Sequence, residues 1–191
     1  MDIKPLPWSV GKFAPDYMEV HVKGIDVVDE NGKIYHGVDS GPASLQTAAN
    51  WRGDPVGWPK AGRGGSNYVR GAALPRSMVV VWYSLVEPQS YMVSFDISED
   101  IRREMRIPHK VTCHSDTITS YRNHVAVGLA PGGIAVAKIM GLCLEPITVG
   151  RFEGVNLRMS DDQKAIYSNK RYLDPATIRY LENNPIPYGS W

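Results

Sequence analysis

A chain of 191 residues can bury the core of one sizeable domain, and its 21 Lys and Arg against 20 Asp and Glu leave a formal charge of +1. That balance carries no electrostatic footprint for nucleic acid or an anionic membrane surface, and no apolar run reaches the ~18 residues that a membrane-spanning helix needs. Eighteen Gly and 14 Pro beside strand-like apolar runs favour a β-rich fold with many turns over a helical bundle.

The opening segment, MDIKPLPWSVGKFAPDY, has no basic start followed by an apolar stretch, and so does not read as a signal peptide. From Met18 to Asp29 apolar and polar residues alternate, and Glu30-Asn31-Gly32 predicts a hairpin of type I′, with KIYHGV as the returning strand. Regular patterning then dissolves between Ser40 and Pro75. A short helix is expected around Ala43 to Asn50, followed by an irregular Gly/Pro-rich loop of a length that is usually functional or disordered. Its Trp51, Trp58 and Tyr68 argue against a disordered linker.

Strands are expected at Met78 to Leu85 and Ser90 to Ile97, joined by Glu87-Pro88-Gln89. Ser98 then predicts a helix N-cap, with Glu99 and Asp100 in the first turn and Pro108 stopping the helix after Ile107. The polar stretch VTCHSDTITSYRNH fits an exposed strand or a loop. His124 to Leu129 and Ile134 to Met140 read as an antiparallel pair around Gly128-Leu129-Ala130-Pro131-Gly132-Gly133, and Ile147 to Phe152 adds a further strand. Asp174-Pro175 predicts a last helix through ATIRYLENN, ended by Pro185. The expected fold is thus a single domain over residues 1–191, mainly β within an α+β class: an antiparallel β-sandwich or curved sheet with one mid-chain and one C-terminal helix. A long aromatic, Gly-rich loop occupies about 51–73, and an extension begins at about 155.

Chemistry is sparse. The Gly-rich hexapeptide matches neither a P-loop nor a dinucleotide fingerprint, and it opens a strand instead of a helix, so it reads as a hairpin turn in which Gly128 ends one strand and Gly132-Gly133 supply positive φ. Gly62 to Asn67 offers an anion nest beside Arg63 and Arg70, or simply a flexible loop. The chain has no nucleophile elbow, its five histidines are scattered without a ligand pair, and Cys113 and Cys143 lie outside any zinc spacing. A Cys113–Cys143 bridge would contribute about 3 kcal/mol, but the residues alone favour two separate thiols, each a small buried apolar side chain. A catalytic set drawn from distant positions, such as Asp54, His114 and Arg122, is the enzyme alternative, but the expected reading is a non-enzyme without cofactor or metal.

The feature least explained by folding is the run Trp51, Arg52, Asp54, Trp58, Arg63, Tyr68 and Arg70. Trp, Tyr and Arg are the types that carry binding hot spots, and these residues are the expected partner-binding set; the competing view folds the tryptophans back over a sheet.

The motifs WSVGKFAPDYMEVHVKGIDVVDENGK, LPRSMVVVWYSLVEPQSYMVSFDISEDIRREM and VAVGLAPGGIAVAKIMG followed by ITVGRFEG, in this order, resemble the bacterial family of domain of unknown function 2931 over about Trp8 to Gly154. The resemblance implies a small envelope lipoprotein of Gram-negative bacteria, some members being immunity partners of type VI secretion effectors, including phospholipase-type toxins. It carries no catalytic residues. The expectation is therefore a non-catalytic periplasmic immunity protein whose partner is a cognate toxin. The alternative is a structural or small-ligand-binding envelope lipoprotein. The chain lacks the family's signal peptide and lipidated cysteine. It reads as the mature part of a lipid-anchored precursor, or as cytoplasmic if Met1 is the native start, and the envelope reading raises the expectation of the Cys113–Cys143 disulfide.

Overall fold

The computed structural model describes residues 6–43, 50, 52–59 and 65–191. In chain order its strands are β1 (Ser9–Phe13), β2 (Val20–Asp29), β3 (Ile34–Ala43), β4 (Asn67–Tyr68), β5 (Pro75–Ser84), β6 (Gln89–Asp96), β7 (His109–Cys113), β8 (Asp116–Ser120), β9 (His124–Ala130), β10 (Ile134–Gly141), β11 (Leu144–Glu153) and β12 (Val155–Leu157). The α-helices are α1 (Glu99–Met105), α2 (Asp161–Tyr167) and α3 (Pro175–Asn183). One sheet has the order β11-β10-β9-β1-β4, the other β12-β6-β5-β2-β3, and β7-β8 form a separate hairpin. This is the expected β-sandwich, with one exception to antiparallel pairing among the described residues: β1 runs parallel to β9.

The two sheets meet through alternate residues of each strand, because successive side chains point to opposite faces. Val10, Val125, Val127, Leu129, Ala135, Ala137 and Ile139 come from the first sheet; Val80, Trp82, Tyr91, Val93 and Phe95 come from the second. In β2 the buried positions change parity, from Val20 and Val22 to Ile25 and Val27. A register shift between Val22 and Gly24 absorbs the extra residue, so a bulge keeps both halves of the strand facing the core.

The turns differ in detail from expectation. Between β2 and β3 only Gly32 has positive φ, at 81°, and Asp29 Oδ1 accepts the Asn31 and Lys33 N–H groups. The connection is therefore an Asp-organised four-residue loop and not a type I′ turn. Ala43 ends β3 instead of starting a helix, and the remainder of that expected helix, 44–49, lies outside the described residues. In the hexapeptide Gly132 and Gly133 both take φ of 75°, as read from the sequence, whereas Gly128 sits inside β9 opposite Val136. The polar stretch after Pro108 forms the β7-β8 hairpin, and the Cys113–Cys143 disulfide, with 5.6 Å between Cα atoms, ties it to the turn after β10.

Helix α1 begins where its cap predicts, the Ser98 side chain accepting the Ile101 N–H at 3.3 Å. Ser98→Ala should cost about 1 kcal/mol of stability in urea unfolding. Past β11 the chain changes sheets at Gly154, whose N–H donates to the Gly133 carbonyl at 2.8 Å, and enters β12 on the edge of the second sheet. Helix α2, absent from the expected elements, follows. Its Ser160/Gln163 capping box is complete, and its neighbour Met159 packs with Tyr83, Leu85 and Tyr167 on the outside of that sheet. Helix α3 and the tail then return to the first sheet. The extension is thus a strap that touches both layers.

Candidate functional site

On the outer face of the first sheet, β1, β9 and β10 present Phe13, Ala126, Gly128 and Val136, a floor with little side-chain height. Trp58 rests on it, edge-on to Phe13 with ring centroids 5.7 Å apart. A Cβ on Gly128 would lie 2.6 Å from Phe13 and 2.7 Å from Trp58, so the glycine in this strand leaves room for both rings. Trp58 is therefore half-buried and committed to packing, the folded-back arrangement that the sequence offered as the alternative.

The rest of segment 52–59 is held at its backbone. The Gly53 N–H donates to the Tyr17 hydroxyl at 2.8 Å, Asp54 N–H to the Asp16 carboxylate at 3.1 Å, and Gly57 N–H to Ser190 Oγ at 3.3 Å. The Trp191 indole N–H donates to the Pro55 carbonyl at 3.0 Å, and its ring is buried among Tyr17, Met18, Ala130 and Ala176. Arg151 Nε fixes the Trp191 carbonyl at 2.9 Å. With its backbone pinned, the segment turns Arg52, Asp54 and Val56 to solvent, Val56 being 60% exposed. Arg52 has no ion-pair partner among the described residues.

The tail adds Tyr188, 59% exposed, two positions before Ser190. Its hydroxyl donates to Glu87 at 2.7 Å; the same carboxylate accepts the Gly132 N–H at 3.0 Å and the Tyr91 hydroxyl at 3.3 Å. Burial first, then the Glu87 charge, pushes Tyr91 up to about 12 and Tyr188 also upward, so both remain neutral donors. Tyr188, Ser190 and Trp191 are parts of this surface that sequence reasoning did not assign by residue. Two aromatics in a Pro- and Gly-containing tail, PIPYGSW, are the signal that could have marked them as anchors.

Beneath the segment, Tyr17 takes φ of 64°, a left-handed conformation that costs a non-glycine residue about 1–2 kcal/mol. It brings the Tyr17 ring into a stack with Tyr180 of α3, centroids 4.6 Å apart and planes within 7°. Two residues on, Glu19 is 1% exposed, and its carboxylate accepts the Asp174 N–H at 3.1 Å and the Thr177 hydroxyl at the start of α3. Desolvation is the largest influence on Glu19 and outweighs both hydrogen bonds, pushing its pKa up to about 7.

The expected partner-binding set is divided by the fold. Arg52, Asp54 and Trp58 belong with the tail. Tyr68 and Arg70 line a different region, an open groove with Asp39 and Asn67 between β3 and β4. Trp51 and Arg63 lie outside the described residues. The enzyme alternative's residues hold separate stations: Arg122 is bonded to Glu104 at 2.6 Å and to the Glu145 carbonyl at 2.9 Å, His114 occupies the β7-β8 turn, and the Asp54 carboxylate accepts the Val56 N–H at 2.9 Å. Among the described residues no three His, Cys, Asp or Glu side chains gather as a metal-binding set, and no helix is long and apolar enough to cross a membrane.

The family described as protein of unknown function, DUF2931, matches residues 2–189, so the chain belongs to it and the segment after Gly154 lies within the family's own span. Neither a curated protein nor a solved structure matches the chain.

Proposed function

We propose that this DUF2931 protein is a non-catalytic immunity protein of the periplasm, the mature part of an outer-membrane lipoprotein, which neutralises a type VI secretion effector by occluding its active site. The observation that carries the reading is the pinned segment 52–59. Four hydrogen bonds, accepted by Tyr17, Asp16 and Ser190 and donated by Trp191, fix its backbone, while Arg52, Asp54, Val56 and the neighbouring Tyr188 stand in solvent. A loop ordered before binding loses little conformational entropy on association, and Arg and Tyr on such a loop are hot-spot types. The Cys113–Cys143 disulfide supports an oxidising compartment, where such bridges persist. A phospholipase-type toxin is the effector class proposed.

The test looks for an effector toxin encoded beside this gene and uses it as the titrant. Arg52→Glu with Tyr188→Ala should weaken its binding by about 100-fold, equivalent to about 2.7 kcal/mol, without changing the melting temperature by more than a few degrees. Unchanged affinity removes this surface from the interface.

A further inference from the structure

The groove between β3 and β4 lies where the sandwich is open at its side, since β3 is the outer strand of one sheet and β4 the outer strand of the other. Its volume is about 520 Å³, and it is lined by Gly37, Val38, Asp39, Ser40, Ser66, Asn67, Tyr68 and Arg70. Of these, Asp39 is 5% exposed and held in one orientation: its Oδ1 accepts Lys12 Nζ at 2.8 Å, Asn67 Nδ2 at 2.7 Å and the Ser40 N–H at 2.8 Å. Asp39 is among the residues that line the groove, Oδ1 takes all three of these bonds, and among the described residues Oδ2 accepts none. Tyr68 is 66% exposed, and neither its hydroxyl nor the Arg70 guanidinium has a partner among the described residues. None of these groups is needed by segment 52–59.

We propose that this groove is a carbohydrate-binding subsite. The chemistry asks for a ligand that donates to an oriented carboxylate oxygen, accepts from a guanidinium a short way off, and lays an apolar face on an aromatic ring. A pyranose does all three, because each hydroxyl both donates and accepts while the ring carbons present a C–H face. Lys12 already offsets the Asp39 charge at 2.8 Å, which favours a neutral hydroxyl over a second ammonium and sets a sugar above an amino acid or peptide terminus. The unsheltered position of Tyr68 suits weak, millimolar recognition of one or two sugar rings.

The test titrates the full chain with N,N′-diacetylchitobiose, with maltose and, as a zwitterionic control, with glycylglycine, following backbone amide shifts of Gly37, Ser40, Ser66 and Tyr68. Saturable shifts at these positions with one of the two saccharides, at a Kd near 1 mM, and none with glycylglycine, are expected. Tyr68→Ala and Arg70→Ala should each weaken binding at least about tenfold, whereas Tyr68→Phe, which keeps the ring, should stay within about threefold. Both side chains are exposed, so the variants should melt as the parent does. The proposal is overturned if neither saccharide shifts these amides, if glycylglycine binds as well as the sugars, or if Tyr68→Ala binds undiminished.

Discussion

Gly133→Val is expected to destabilise the protein by about 3–5 kcal/mol, and Gly132→Val by about 1–2 kcal/mol, although the two glycines are adjacent and share a φ of 75°. The common part is the left-handed backbone, which a β-branched residue adopts only with strain. The difference lies in what a Cβ would meet. At Gly132 the nearest atom is Tyr188 Cδ1 at 3.6 Å, an ordinary contact with a ring that is itself exposed. At Gly133 a Cβ would stand 2.7 Å from Tyr91 Cδ1 and 3.3 Å from the Gly154 carbonyl. Tyr91 cannot retreat easily: it is 4% exposed, lies 5.5 Å from the Trp82 ring, and is hydrogen-bonded to Glu87. Gly133 also accepts the Gly154 N–H at the point where the chain passes from one sheet to the other, so a shift there disturbs both layers. Urea unfolding of the two variants checks the ranking, and equal losses would show that the contact with Tyr91 is slack.

The contrast between these glycines and Gly128 marks the boundary of what the sequence could reveal. Positive φ is a local need, and two glycines after Ala-Pro announce it. The reason for Gly128 is non-local: Phe13 lies 115 positions away and Trp58 seventy, and no periodicity in GLAPGG mentions either. The same distinction runs through the fold. Strands β2, β5, β6, β9 and β10 were legible because alternation reports a face buried by a sheet. Helices α1 and α3 were legible because Ser98 and Asp174-Pro175 sit where N-termini need them. Strand β1 is five residues whose partner in a parallel pair is β9, a relation invisible within any short window. Helix α2 buries none of its own residues and depends on its capping box, so a search for an apolar stripe passes over it. The candidate surface divides in the same way. Composition pointed to Arg52, Asp54 and Trp58, but the tail that pins their segment at Pro55 and Gly57 arrives from more than 130 residues later.

A pH dependence of opposite sign to ordinary acid denaturation is expected from Glu19. Its folded pKa of about 7 lies above the ordinary value of 4.5, so between these the folded state binds a proton that the unfolded chain has released. Stability from this group is fully present below pH 4.5 and is lost as pH rises through 7, about 3 kcal/mol in all. The cause is geometric: a carboxylate 1% exposed has, among the described residues, the Asp174 N–H and the Thr177 hydroxyl to replace water, with the Asp174 charge beside it. Other groups blur the raw curve. His21 and His124 are lowered mainly by burial, so their contributions rise with pH up to 6.5, and Asp26, lowered by the Gly37 N–H and His36 against its desolvation, loses its contribution only below about pH 4. Subtracting the profile of Glu19→Gln isolates the carboxylate, because the amide oxygen can still accept both hydrogen bonds but does not titrate. Wild type minus variant should fall by about 3 kcal/mol between pH 4.5 and pH 7.5 in urea unfolding, and a flat difference would mean that Glu19 is already ionised and hydrated at pH 5. The carboxylate holds the start of α3, α3 carries Tyr180 onto Tyr17, and the Tyr17 hydroxyl holds Gly53. Once the pH dependence of intrinsic exchange is divided out, amide protection at Gly53 should accordingly fall over the same interval in the wild type and not in Glu19→Gln, which separates a change transmitted along this chain of contacts from a uniform loss of stability.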